Sequence, residues 1–216
     1  ADAVRAYFTA ERLATGAAPG PLEATPVFIV GMWRSGSTLV EQILDAHPEA
    51  VGIGESPVIP EEVRALALEP GGYPPALDAF DEEAWRRLAA GYRAALDRDA
   101  RAARCTVDKM LDNIAHAGFI KLLFPEARFI RTRRHPMDTG LSCYMTNLKA
   151  PFTHDLEDIG FALRTIETLA GHWAHVLGDA WLDLDYEALI AEPEKVSRRI
   201  VAFCGLEWHE ACLRPH

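Results

Sequence analysis

The chain alternates short apolar runs with longer segments whose apolar positions recur at helical spacing. Val27-Phe28-Ile29-Val30 is a continuous β-rich run closed by Gly31, the pattern of a strand buried on both faces. From Ser37 the apolar residues fall at Leu39, Val40, Ile43 and Leu44, one face of a helix that stops at His47-Pro48. Residues 50–53 read as a second, shorter strand, after which Gly52 and Gly54 punctuate a loop presenting Glu55. Residues 70–75 are a surface connection rich in Pro and Gly. Asp81 then caps a helix with Trp85, Leu88, Ala89, Tyr92 and Leu96 on its buried face.

The alternation continues. Residues 105–107 read as a strand ending at Asp108-Lys109, and 114–124 as a helix. Residues 128–132 form the next strand, Asp138 caps a helix running to about Asn147, and 156–177 is a long amphipathic helix. Residues 181–184 supply a further strand, and Pro193 opens a last helix that Gly205 stops. Strands alternating with helices predict an α/β fold, a parallel sheet flanked by helices. Residues 1–25 read as an N-terminal helix and linker, and 26–216 as the domain. There is no internal repeat.

Composition narrows the class. The 216 residues suit one sizeable domain. No apolar stretch approaches the ~18 residues a membrane helix needs, and the charged N-terminus lacks a secretory pattern. A net charge of −10 argues against a nucleic-acid or anionic-membrane surface. Cys105, Cys143, Cys204 and Cys212 show no paired spacing, so reduced thiols in a cytoplasmic protein are expected. His172 and His175 lack a third ligand at a suitable spacing and read as a helix face, so no metal is expected.

The acidic average hides a basic cluster at Arg131, Arg133 and Arg134. Strand alternation puts Arg131 and Arg133 on one face, as surface or secondary contacts, and Arg134 on the other with Ile130 and Thr132. A second anion-binding pattern lies at residues 31–38, where Gly31, Gly36 and Thr38 satisfy the phosphate-loop spacing but Ser37 stands in place of the lysine. Strand before and helix after make a nest of backbone N–H groups, with Arg34 reaching in from the loop. Nucleotide triphosphatases need that lysine and a metal-binding aspartate. Here the second anchor is cationic: Arg134 at a strand end, with Ser142 on the following helix able to swing back towards it.

These paired anion sites resemble the sulfotransferase family. FIVGMWRSGSTLVEQIL is similar to its 5′-phosphosulfate loop and RFIRTRRHPMDTGLSCY to its 3′-phosphate segment, while GIGESPVIP, TVDKM and LDLDYEALIAEPE resemble the tyrosylprotein sulfotransferase branch and its bacterial tetratricopeptide-linked relatives. The resemblance implies the P-loop sulfotransferase fold and the donor 3′-phosphoadenosine 5′-phosphosulfate, with 3′,5′-ADP as product. It carries over Arg34, Ser35, Gly36, Ser37, Thr38, Arg134, Ser142 and Tyr186 as donor contacts. Glu55 becomes the base, Lys109 a sulfuryl contact and Arg34 a catalytic contact to the 5′-phosphosulfate, and the acceptor a hydroxyl of a peptide tyrosine or a sugar, with a homodimer left open.

Other readings stand beside these. Glu55 also fits a solvated loop carboxylate, and Lys109 a salt bridge with Asp108 or Asp112. The whole pattern also fits a P-loop kinase or nucleotidase, or a non-catalytic nucleotide-binding module. Trp33 departs from the proline common in related loops. The relatives continue beyond Pro215-His216 into a segment expected to close over donor and acceptor, and in the bacterial ones a repeat array precedes the N-terminal helix.

Overall fold

A computed structural model describes residues 1–15, 24–96, 102–146, 148 and 150–214. Five parallel strands form one sheet: β1 (Thr25–Gly31), β2 (Ala50–Gly54), β3 (Cys105–Asp108), β4 (Arg128–Arg133) and β5 (Trp181–Asp185), in the order β2-β3-β1-β4-β5. The helices are α1 (Asp2–Tyr7), α2 (Ala10–Thr15), α3 (Ser37–Asp45), α4 (Val58–Leu66), α5 (Glu82–Ala95), α6 (Ala117–Leu123), α7 (Pro136–Met145), α8 (Leu156–Leu177), α9 (Tyr186–Ala191) and α10 (Pro193–Phe203). The expected α/β fold with a helix-flanked parallel sheet is what forms.

The apolar run of β1 explains its central place. Phe28 and Val30 face one layer with Phe129, Phe119 and Trp173, while Val27 and Ile29 face the other with Val40, Ile43 and Ile200. A strand covered on both sides carries no polar alternation. Its neighbours are β3, with Thr25 opposite Cys105, and β4, with Val27 opposite Arg128. The chain leaves β1 towards one edge, β2, and leaves β4 towards the other, β5. Such a divergence opens a crevice at the carboxyl ends of the two strands, where sheets of this kind bind ligands.

Several local expectations are corrected. The helix after β4 is capped at His135 and begins at Pro136, not at Asp138, because proline's fixed φ and missing N–H suit the first helical position. It ends at Met145, and Asn147 lies outside the described residues. The segment expected as a helix at 114–124 starts as a 3₁₀ turn, Leu111–His116, before α6. The N-terminal region holds two short helices where one was expected, and most of its linker lies outside the described residues. Asp81 caps α5 as expected, its carboxylate accepting from Ala84 N at 2.8 Å. All four cysteines are buried and free. No helix among the described residues is long and apolar enough to cross a membrane.

Candidate active site

The phosphate loop sits at the end of β1, held by unusual backbone. Gly31 adopts φ +137° with Thr132 O packed where a β-carbon would stand, and Gly36 adopts φ +94° at the N-cap of α3. Both conformations disfavour a side chain. Between them Arg34, at φ +68°, occupies the left-handed region that non-glycine residues seldom enter. Ser35 turns its hydroxyl inward, to Met32 O at 2.5 Å and Thr132 Oγ1 at 2.7 Å, tying the loop to β4 and leaving its backbone N–H for an anion. Ser37 and Thr38 open α3, and both line a cleft of about 290 Å³ with Trp33, Arg34, Glu55 and Lys109.

The residues expected at the far anion site converge on the same loop. Arg34 Nε donates to Ser142 Oγ at 3.0 Å, so the hydroxyl expected to meet Arg134 meets Arg34 instead. Arg134 reaches Arg34 O at 3.5 Å and lies 5.2 Å above the ring of Tyr186. That ring packs so closely on Gly36 that a β-carbon there would collide with it. Arg34, Gly36, Arg134, Ser142 and Tyr186, from four separate segments, thus make one cationic, partly aromatic surface.

The neighbouring arginines divide as their registry dictates. Arg131 and Arg133 share a face and stand opposite Asp183 and Asp185 on β5. Arg133 pairs with Asp185 through two nitrogens. Arg131 is a correction: it is buried, not at the surface, because Glu167 on α8 and Asp183 neutralise it there. Two of the three cations are therefore spent on structure. Arg134 has no ion pair among the described residues.

At the other end of the cleft, Lys109 Nζ lies 2.7 Å from Glu55 Oε1 and 3.9 Å from Glu41 Oε2. Lys109 thus pairs with Glu55 and, at longer range, with Glu41, where Asp108 or Asp112 was the alternative expected. Asp108 points into the core, where it accepts from Tyr92 OH at 3.2 Å and Met110 N at 2.9 Å, and burial pushes its carboxyl up to about 7. Among the described residues, His, Cys, Asp and Glu form no group of three placed to hold a metal ion.

Residues 26–210 match the sulfotransferase family. The chain belongs to that family. It is 35% identical over 204 residues to an uncharacterized protein of Aquifex aeolicus (strain VF5), across 87% of this chain and 26% of that protein. It is 27% identical over 198 residues to protein-tyrosine sulfotransferase 1 of Danio rerio, across 87% of this chain and 55% of that one. The sulfotransferase domain from the Synechococcus PCC 7002 olefin synthase superposes with a TM-score of 0.63 at 27% identity, covering 90% of this chain and 78% of that one. The chain thus spans from about a quarter to just over half the length of these curated relatives.

Sequence reasoning missed one carboxylate that faces Lys109. Glu41 accepts from Gly54 N at 3.1 Å while facing Lys109, and burial raises its pKa, partly offset by Lys109. One turn further on, Asp45 accepts from Gly52 N at 2.7 Å. The signal was present: Glu41 and Asp45 follow Ser37 at i+4 and i+8, on the helix face that the loop itself uses.

Proposed function

We propose that this domain transfers a sulfuryl group from 3′-phosphoadenosine 5′-phosphosulfate to a hydroxyl acceptor. The observation that carries this is the convergence just described: a lysine-free phosphate loop, flanked by Arg34, Arg134, Ser142 and Tyr186, opens on one side to the Glu55–Lys109 pair. The N–H groups at the start of α3 and the Arg34 fork hold the 5′-phosphosulfate. Arg134 and Ser142 hold the 3′-phosphate, and Tyr186 lies under the nucleotide.

Glu55 takes the acceptor's proton as the acceptor oxygen bonds to sulfur and the sulfur–phosphate oxygen bond breaks in line. Lys109 donates to the oxygen that leaves with 3′,5′-ADP. Before the donor arrives, Lys109 neutralises Glu55. Transfer of its N–H donors to the phosphosulfate frees the carboxylate to act as base, so the acceptor is activated only where a donor is in place.

Thermal unfolding with 3′,5′-ADP, 5′-AMP, or ATP with magnesium tests this reading. 3′,5′-ADP should stabilise most, and Arg134→Ala should abolish its advantage over 5′-AMP, a loss of about 1.5–3 kcal/mol per charged hydrogen bond. Equal or greater stabilisation by ATP with magnesium would favour a kinase or nucleotidase. Tight 3′,5′-ADP binding with transfer unaffected by Glu55→Ala would leave a binding module.

A further inference from the structure

Asp108 is a carboxylate with only 1% of its surface exposed, a placement that costs free energy unless its partners offset it. Lys109, its neighbour in the chain, turns away to Glu55 and Glu41. The donors that face Asp108 are uncharged: Met110 N–H at 2.9 Å from Oδ1, Tyr92 OH at 3.2 Å from Oδ2, and the backbone N–H of Ser56. They pull its pKa down, but burial outweighs them and holds it at about 7. The walls of the 290 Å³ donor cleft include Glu55 and Lys109 but not Asp108.

Two of these donors lie one residue past the proposed catalytic pair. Met110 follows Lys109, and Ser56 follows Glu55. The bond from Met110 N closes a turn over Lys109, in which an aspartate side chain accepts from the backbone two residues on. Lys109 N donates in turn to Gly54 O at 2.8 Å, immediately before Glu55. The pairing of β2 with β3 slips at this point: Gly52 stands opposite Val107 and Gly54 opposite Asp108, so Ile53 is the extra residue of a bulge, and Gly54 turns at φ +68°. Bulges beside active sites re-aim the side chains that follow. Here the redirected residue is Glu55, whose carboxylate ends 2.7 Å from Lys109 Nζ.

We propose that Asp108 is the positioning residue of the Glu55–Lys109 pair: one buried carboxylate grips the backbone just after each of them and holds base and sulfuryl contact at a fixed separation. This rests on the sulfuryl-transfer reading and adds to it a residue that acts only through the other two. Tyr92 has a different part in the arrangement. It reaches Oδ2 from α5 and supports the carboxylate without engaging either loop, so the two residues separate stability from positioning.

Three variants grade the hold. Tyr92→Phe leaves both backbone N–H groups on the carboxylate, and Asp108→Asn keeps one oxygen to accept from them. Asp108→Leu combined with Tyr92→Phe removes the hold while replacing both members of the buried pair by apolar groups, a change that cores tolerate. Turnover of 3′-phosphoadenosine 5′-phosphosulfate by the whole chain is followed with 4-nitrophenol as probe acceptor and with water alone. The expected kcat is within about twofold of the unaltered protein in Tyr92→Phe, about tenfold lower in Asp108→Asn and about a hundredfold lower in the double variant. KM for the donor and thermal stabilisation by 3′,5′-ADP should stay unchanged throughout. Stability takes another order, because Tyr92→Phe alone takes a buried donor from Asp108 and should lose more in urea than the double variant does. A kcat that instead falls in the order of stability, or full kcat in the folded double variant, would overturn the proposal. Crystal structures supply a readout that needs no acceptor: the Lys109–Glu55 pair should be broken or spread over several rotamers in the double variant, and a single pair kept at 2.7 Å would overturn the proposal. Asp108→Asn, whose amide keeps a partner for Tyr92 OH, carries the same readouts should the double variant not fold. Failure of the unaltered chain to bind 3′,5′-ADP would instead overturn the donor reading beneath it.

Discussion

Glu41 illustrates how a single carboxylate can serve two masters. Its Oε1 holds the Gly54 N–H, immediately before Glu55, and its Oε2 faces Lys109. Because it sits on the helix that opens at the phosphate loop, it ties that loop to the segment carrying Glu55. Small displacements of reacting groups cost rate steeply, so Glu41→Ala should lower kcat about ten- to a hundredfold with 3′,5′-ADP affinity nearly unchanged. Glu41→Gln keeps the acceptor for Gly54 N–H and should restore most of that loss. Equal damage in both variants would mean that the charge facing Lys109, not the hold on the loop, is what matters. Arg131 gives the complementary lesson: strand alternation assigned it the right face but said nothing about depth, which was set by Glu167 arriving from a helix 36 residues away in sequence.

Among the elements, α1 and α2 are each too short to persist alone. Their anchor is Phe8, fully buried beside Trp173 and Tyr73 and pressed on Gly118, where any β-carbon would strike its ring. His172 adds a bond from Nε2 to Phe8 O at 2.9 Å. Phe8→Ala is expected to lower stability by about 3–5 kcal/mol in urea unfolding, with 3′,5′-ADP affinity unaffected. The five strands were legible as short β-rich segments between helical patterns, continuous and apolar in β1 and mixed with charged positions in β4 and β5. The short helices α4 and α9 were not foreseen: α9 is six residues long and buries only Leu189, and α4 buries Ile59, Val63 and Leu66 within nine residues, too short a stretch for its period to stand out. The donor loop was legible from local spacing. The Arg34–Ser142 bond and the approach of Ser56 N–H to Asp108 depend on which segments meet across the sheet, and spacing along the chain carries no such information.

At the scale of the whole molecule, two buried groups oppose one another in pH. The folded state holds Asp108 near 7 against an ordinary 3.8, so it keeps a proton that the unfolded chain releases, and this contribution falls as pH rises through that window. His116 is held near 4 against an ordinary 6.5, so its contribution is present above 6.5 and falls on acidification towards 4. The two slopes overlap and offset. Asp108→Asn should therefore make stability drop more steeply than in the unaltered protein between pH 7 and pH 4, and His116→Gln should do the reverse, both measured by urea unfolding. An unchanged pH profile in each variant would show that neither shift exists.

The strand order also sets a schedule. Of the five strands β1 is made before the others, but β2, the next, is not its partner; Thr25 waits for Cys105, Val27 for Arg128, and Gly36 for Tyr186. Pairings so distant close late, after the helices have formed. In refolding from urea, the ability to bind 3′,5′-ADP should consequently appear with the slowest phase, well after helical circular dichroism recovers. The phosphate loop is among the first parts of the domain to be made and among the last to be finished.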